Sequence, residues 1–234
     1  MNRKIKIAII VVAALLIAYA AYYLTEYSPA QEDATRYLNG TDEVKVVEMD
    51  NGLFLDGHGN DTALIFYPGA KIEYTAYLPM LVNLSSRGVD CYLVKMPFNL
   101  AFFGENEADS IIENTNYSHY VISGHSLGSV AATSYMAHTG RGDAAVLLSG
   151  YSTEKIGKPV LSIYGSNDGI LNMENYNKSK SLLSNFTEFI IDGGNHAQFA
   201  YYGNQTGDNP AGITPESQQA QAVEKIIGFT NKLT

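Results

Sequence analysis

The chain is poor in cysteine: Cys91 stands alone among 234 residues. An internal disulfide is therefore excluded, and cysteine usage says nothing about compartment. Cys91 lies in the apolar run CYLVKM, where a buried structural thiol is expected. Basic runs are missing too. Lys and Arg number 15 against 24 Asp and Glu, a formal net charge of -9. Without a basic cluster, zinc spacing or RNA-binding signature, nucleic acid is not an expected partner. A metal site would need several of the 5 histidines to converge with carboxylates, and no metal or other cofactor is expected. Repeats and low-complexity tracts are absent. Gly (21) and Pro (7) are at ordinary levels, which excludes disordered and collagen-like classes. The length suits one domain with a sizeable core.

The N-terminus is what is there in force. Arg3, Lys4 and Lys6 precede IAIIVVAALLIAYAAYYL, residues 7–24, a run without charge. At helical rise it spans roughly 27 Å, close to a bilayer core. Tyr19, Tyr22 and Tyr23 gather at its far end, where an aromatic belt belongs. Residues 1–24 thus read as a membrane anchor, with the basic flank cytoplasmic and the rest extracytoplasmic. The alternative is a cleaved signal and a secreted protein: AYA at 18–20 offers a cleavage site, although the run is long for a signal's apolar segment. No cysteine follows the run, so lipid attachment at a cysteine is ruled out. Residues 25–41 are polar and read as a linker, leaving 42–234 as the folded domain.

Within that domain short apolar runs alternate with amphipathic segments. VKVVEM (44–49) and LFLDG (53–57) predict an antiparallel opening pair. TALIFYPG (62–69), DCYLVKMP (90–97), HYVISG (119–124), DAAVLLSG (143–150), PVLSIYG (159–165) and TEFIID (187–192) predict further strands. Helical spacing appears over 73–87, from Leu127 to about 138, near 171–184, and from Thr214 with Pro215 in the first turn. Strands apolar throughout, each followed by a helix, predict a mostly parallel α/β sheet covered on both faces. Chemistry then belongs in the loops after Tyr67, Ser123, Tyr164 and Asp192.

The second of these loops reads GHSLG. Gly124 and Gly128 flank Ser126 two residues away on each side. A strand-to-helix turn that projects a nucleophile is strained, and glycine there removes side chains that would collide. A serine hydroxyl needs a base to take its proton and a carboxylate to orient that base. The last loop supplies His196 in DGGNHAQF, and the third supplies Asp168 in YGSNDGI. The chain order Ser126, Asp168, His196 is the one this architecture requires. Asp192 is the rival acid, although capping its own strand end is the simpler role. His125 points sideways in such a turn and packs against neighbouring loops. An oxyanion needs two N–H donors: Leu127 is one, and the first loop, YPGAKIEY, offers Ala70, with Lys71 second.

With these residues the chain resembles the α/β-hydrolase superfamily, through GHSLG, YPGAKIEY, GSNDG and GGNHAQF. More narrowly it is similar to small bacterial hydrolases related to dienelactone hydrolases, where YPGA, a KMPFNLAFF-like stretch and NHAQF…YG…GD occur together. Dienelactone hydrolases use a cysteine nucleophile; this chain has Ser126 there, so their substrate does not carry over. The resemblance implies a mostly parallel twisted sheet with flanking helices over residues 42–233. Only YSTEKIGK (151–158) separates two strands where a lid usually sits, so no lid domain is expected. Loops then wall the pocket. Phe98, Phe102 and Phe103 in FNLAFFGENE either pack beneath their loop or line the pocket, and Tyr202 is expected to close the other side. The expected activity is hydrolysis of a small ester or related acyl substrate through an acyl-enzyme. Acyl transfer or peptide cleavage by the same triad are the rivals, and an idle binding module is a third.

Overall fold

The computed structural model of the chain describes residues 2–59 and 61–233. Helix α1 (Arg3–Thr25) is capped by Asn2, whose side chain accepts the Lys4 N–H at 3.1 Å. None of its residues is buried, and with a mean hydropathy of 2.5 it is long and apolar enough to cross a membrane. The polar stretch that follows forms α2 (Glu32–Thr35) and a 3-10 turn, Arg36–Asn39. It is stitched to the domain rather than hanging free. The Ser28 N–H donates to Lys71 O at 2.7 Å, the Glu73 N–H to Ser28 O at 3.0 Å, and the Gln31 N–H to Tyr201 O at 2.8 Å.

The domain opens with the antiparallel pair β1 (Lys45–Met49) and β2 (Gly52–Asp56). It continues through β3 (Thr62–Tyr67), α3 (Leu78–Ser85), β4 (Asp90–Val94), α4 (Glu107–Asn114), β5 (His119–His125) and α5 (Leu127–Thr139). Then come β6 (Ala144–Leu148), β7 (Ile156–Gly165), α6 (Met173–Ser179), β8 (Leu183–Ile191) and α7 (Pro215–Thr230). Strand order is β1-β2-β4-β3-β5-β6-β7-β8. Only the β1–β2 and β2–β4 pairings are antiparallel; the other five are parallel.

Alternation within strands splits the core in two. Leu64 and Phe66 face one layer, with Leu78 and Leu81 of α3 and Val223 of α7. Ala63, Ile65 and Tyr67 face the other, with Ile111 of α4 and Ala132 and Tyr135 of α5. Both faces are dry, which is why these strands read as continuous apolar runs. Cys91 is fully buried, and burial pushes its thiol up to about 12.

Several boundaries differ from the sequence-based expectation: β8 begins at Leu183 rather than Thr187, and α6 ends at Ser179. β7 begins at Ile156, with a register irregularity between Ile156 and Pro159. Proline has no N–H to give a ladder, and an irregularity of this kind is where a sheet tolerates it. The β6–β7 connection is accordingly short, residues 149–155, and holds no lid. α4 was not foreseen. It buries only Ala108 and Ile111, too few positions to print a helical period on the sequence.

Candidate active site

Parallel strands put their following loops on one edge of the sheet. Ser126 joins β5 to α5 with φ 54 and ψ −120, outside the ordinary helical and extended regions. The flanking glycines are needed there. A Cβ on Gly124 would lie 2.3 Å from the Gly128 carbonyl, and one on Gly128 would lie 2.0 Å from Tyr67 O. The Ser126 N–H donates to Leu148 O at 2.9 Å, and the Ser129 hydroxyl to Gly124 O at 2.7 Å. The elbow is thus held by hydrogen bonds to β6 and to its own strand and packs closely on the end of β3, with Ser126 itself half-buried.

Asp168 and His196 come from the loops after β7 and β8. Those loops touch where glycine permits it: a Cβ on Gly165 would meet the Gly194 backbone at 2.2 Å. His196 Nδ1 lies 3.1 and 3.0 Å from the two Asp168 carboxylate oxygens, and both side chains are sealed, 1 and 2 % exposed. Asp168 Oδ1 also accepts the N–H groups of Ile170 at 2.9 Å and Leu171 at 2.8 Å. Burial pushes the Asp168 carboxyl up, but His196, Ser149 and the Leu171 N–H outweigh it and hold the group below its ordinary value. The Ser149 hydroxyl makes no bond of standard geometry among the described residues, so its share is a dipole's rather than a full hydrogen bond's. The other ring nitrogen of His196, Nε2, is buried without a partner among the described residues. Asp192 is exposed and faces Ser166 at 3.4 Å instead of the histidine.

Ser126, Leu127 and His196 line one cleft of 180 Å³, with Tyr151, Ile170 and Leu171 among its walls. Leu127 opens α5, in the turn whose N–H groups have no partner within a helix. In the first loop the N–H groups on either side of Ala70 are already used. Gly69 donates to the Tyr77 hydroxyl at 3.0 Å, and Lys71 to Asn99 O at 2.7 Å. The Ala70 N–H has no acceptor among the described residues. Lys71 is therefore spent as a donor and Ala70 is free.

A model of the alpha/beta hydrolase family matches residues 63–220, more than half of the chain. The chain belongs to this family. Solved structures agree on the fold. TT1662 from Thermus thermophilus is 13 % identical, with 80 % of this chain and 98 % of that one covered and a TM-score of 0.56. The ferulic acid esterase from Streptomyces cinnamoneus is 16 % identical, at 74 and 67 % coverage and a TM-score of 0.60. MGS-MChE2, an alpha/beta hydrolase enzyme from a sediment metagenome of the lagoon of Mar Chica, is 13 % identical, at 79 and 99 % coverage and a TM-score of 0.60. No curated protein sequence matches this hydrolase.

The expected pocket residues lie elsewhere. Phe98, Phe102 and Phe103 are mostly exposed and do not line the cleft. Tyr202 is buried beneath the site, its hydroxyl donating to Gln205 Oε1 at 2.7 Å. The cleft walls come instead from Tyr151 and from the residues that follow Asp168.

Two supporting groups in this hydrolase escaped sequence reasoning, and a third, His125, packs against neighbouring loops as expected. Asp208 accepts the Gly169 N–H on one oxygen and the Ala197 N–H on the other, both at 2.9 Å, so one carboxylate ties the neighbour of Asp168 to the neighbour of His196. Gln218 on α7, fully buried, accepts the Asn195 N–H at 2.9 Å and donates to Asn195 O at 2.7 Å. His125 is fully buried between Tyr77 and the His196 carbonyl, at 2.8 and 3.1 Å. Burial, then the neighbouring His196, hold its imidazole well below the ordinary value. It therefore stays neutral. Tyr77 accepts from Gly69 and donates to Nδ1, and the Nε2–H donates to the carbonyl. Asp208 does fall in the NHAQF…YG…GD stretch, but a GD pair far from any strand end carries no chemical signal of its own. Gln218 differs from a surface glutamine only by standing on the helix's inner face.

Proposed function

We propose that the protein is a membrane-anchored serine hydrolase that cleaves esters of small acyl groups through an acyl-enzyme. The observation that carries this reading is His196: Nδ1 faces the Asp168 carboxylate at 3.0 Å, and Nε2 is unpartnered in the cleft that Ser126 lines. In this reading Nε2 takes the Ser126 proton as Oγ attacks the ester carbonyl carbon. Negative charge gathers on the carbonyl oxygen, where the Leu127 and Ala70 N–H groups receive it. The imidazolium, stabilised by Asp168, returns the proton to the departing alkoxide. Water then repeats the sequence and releases the acid and Ser126.

The cleft volume of 180 Å³ is below the roughly 300 Å³ at which drug-sized pockets begin, which supports a small acyl group. Each added carbon should raise kcat/KM by up to about fourfold, then stop once the cleft is full. A rate still climbing on long acyl chains would overturn the small-group part of the reading. A fluorophosphonate should label the chain once, and Ser126→Ala should lose the label. Equal labelling of that variant would remove Ser126 as nucleophile.

α1 supplies the anchor, with Arg3, Lys4 and Lys6 on the cytoplasmic side and the hydrolase domain outside. Protease added to intact cells should digest the domain. A protected domain would overturn this topology, and a soluble mature chain starting near residue 21 would show a cleaved signal.

A further inference from the structure

Three phenylalanines stand in solvent near the proposed site. Phe98, Phe102 and Phe103 are 52, 62 and 57 % exposed, and Phe98 meets Phe103 edge to face with ring centres 5.6 Å apart. Their loop is two successive 3-10 turns, Pro97–Asn99 and Ala101–Phe103. Phe98 adopts φ 56 and Asn99 φ 52. That backbone region is costly for a bulky residue, and Phe98 gains no interior packing in exchange. Ala101, in the same loop, is buried. The loop thus turns its small side chain inward and its large ones out.

Single exposed apolar residues mean little. These are clustered, and they share an edge with two other features. β3, β4 and β5 run parallel, so the Ala70 turn, the phenylalanine loop and Ser126 all follow strands at the same edge of the sheet. The end of α1 is fastened to that edge. The Lys71 ammonium donates to the Tyr23 carbonyl and lies 4.5 Å from the centre of its ring. Ser28 forms a bridge with Ile72. The Lys71 N–H, in turn, is the donor to Asn99 O in the phenylalanine loop. One residue therefore joins the end of the apolar helix to the loop beside the site.

We infer that the Phe98–Phe103 loop is a membrane-docking surface. Its partner is the lipid–water interface of the bilayer that α1 enters. Docking there turns the mouth of the Ser126 cleft toward the membrane, so that esters arrive from the lipid surface. The inference rests on the anchor reading above. Tyr22 and Tyr23 mark the depth at which aromatic rings settle, and Lys71 holds the loop near that depth. With a net charge of -9, the chain has no general attraction to anionic lipid, so docking is apolar and insensitive to salt.

The chain contains no tryptophan, so a single one can serve as reporter. The full chain carrying Phe102→Trp is reconstituted in phosphatidylcholine vesicles brominated high on the acyl chains. The expected result is blue-shifted emission and loss of intensity relative to unbrominated vesicles, unchanged by added salt. Phe103→Trp should repeat it. Arg87→Trp, exposed in the turn before β4 at the opposite edge, should emit as in water and keep its intensity. If both loop reporters behave like Arg87→Trp while the chain floats with the vesicles, the docking surface is wrong and the anchor stands. If the chain does not float with them, the anchor reading fails and the inference falls with it.

Discussion

The loops on the two sides of Ser126 hold their side chains by different means. On the β7–β8 side, Asp168 and His196 are sealed from solvent, and Asp208 and Gln218 bind the backbone beside them. On the β3–β4 side, backbone bonds such as Lys71 N–H to Asn99 O fix the chain, and the phenylalanines are left unpacked. Where a proton must move between atoms, several bonds determine each position. Where the protein meets its surroundings, only the backbone is determined.

Substitutions can break this contrast, beginning at the acid. Asp168→Asn should lower kcat on an ester by about 10³–10⁴, because the imidazole loses its orienting acceptor. Asp192→Asn, on an exposed carboxylate, should stay near the parent rate. The reverse ranking in steady-state kinetics would exchange the two assignments.

Gln218→Leu should act on stability. It leaves the buried N–H and C=O of Asn195 without partners, at roughly 1–3 kcal/mol each. Thermal unfolding should fall by about 2–4 °C for each kcal/mol lost. An unchanged Tm would mean that the α7 clamp does not hold the histidine loop.

Asp208→Asn keeps the side chain's shape but turns one acceptor into a donor against an N–H. A resulting shift of the acid or the histidine should cost kcat about 10–10², with KM little changed. Loss of Tm at constant kcat would make Asp208 a scaffold residue and no more.

His125 sharpens the comparison through pH. The folded chain keeps it neutral, while the unfolded chain protonates it below its ordinary value of 6.5. Below that pH the unfolded state binds the extra proton, so stability falls as pH drops. Asp168, held low, withdraws its own contribution only as pH falls below 3.8, so the two windows are separate. Tm should therefore decline between about pH 7 and about pH 5, and less steeply in His125→Gln. Parallel slopes would show that His125 is not the group responsible.

The smallest effect belongs to the open side. Phe102→Ser should change unfolding free energy by no more than about 0.5 kcal/mol. A larger loss in urea unfolding would show that the loop packs after all.

Much of the fold was legible because parallel strands buried on both faces print unbroken apolar runs, as at TALIFY and AAVLL. Ser126 and Asp168 could be picked out because each follows such a strand, and His196 because it follows the edge strand β8, with glycines marking the turns. The cleft walls could not. Phe102 and Phe103 attracted attention by composition, yet Tyr151 and Leu171 form the walls; which loop side chains turn inward depends on neighbours far away in the chain. Asp208 and Gln218 stayed hidden for the same reason, since the partners of Asp208 lie 39 and 11 positions away and that of Gln218 lies 23 away.

By itself the sequence determined the order of the strands along the chain, the elbow at Ser126, the order of the three proposed catalytic groups and an N-terminal helix able to cross a membrane. Each of these follows from spacing along a few residues, which local backbone geometry enforces. Only the tertiary structure decided that Asp168 rather than Asp192 faces His196, that Ala70 rather than Lys71 keeps a free N–H, and that Asp208 joins two loops. Those are contests between groups for partners distant in sequence, and they are settled only when the sheet brings the loops to one edge.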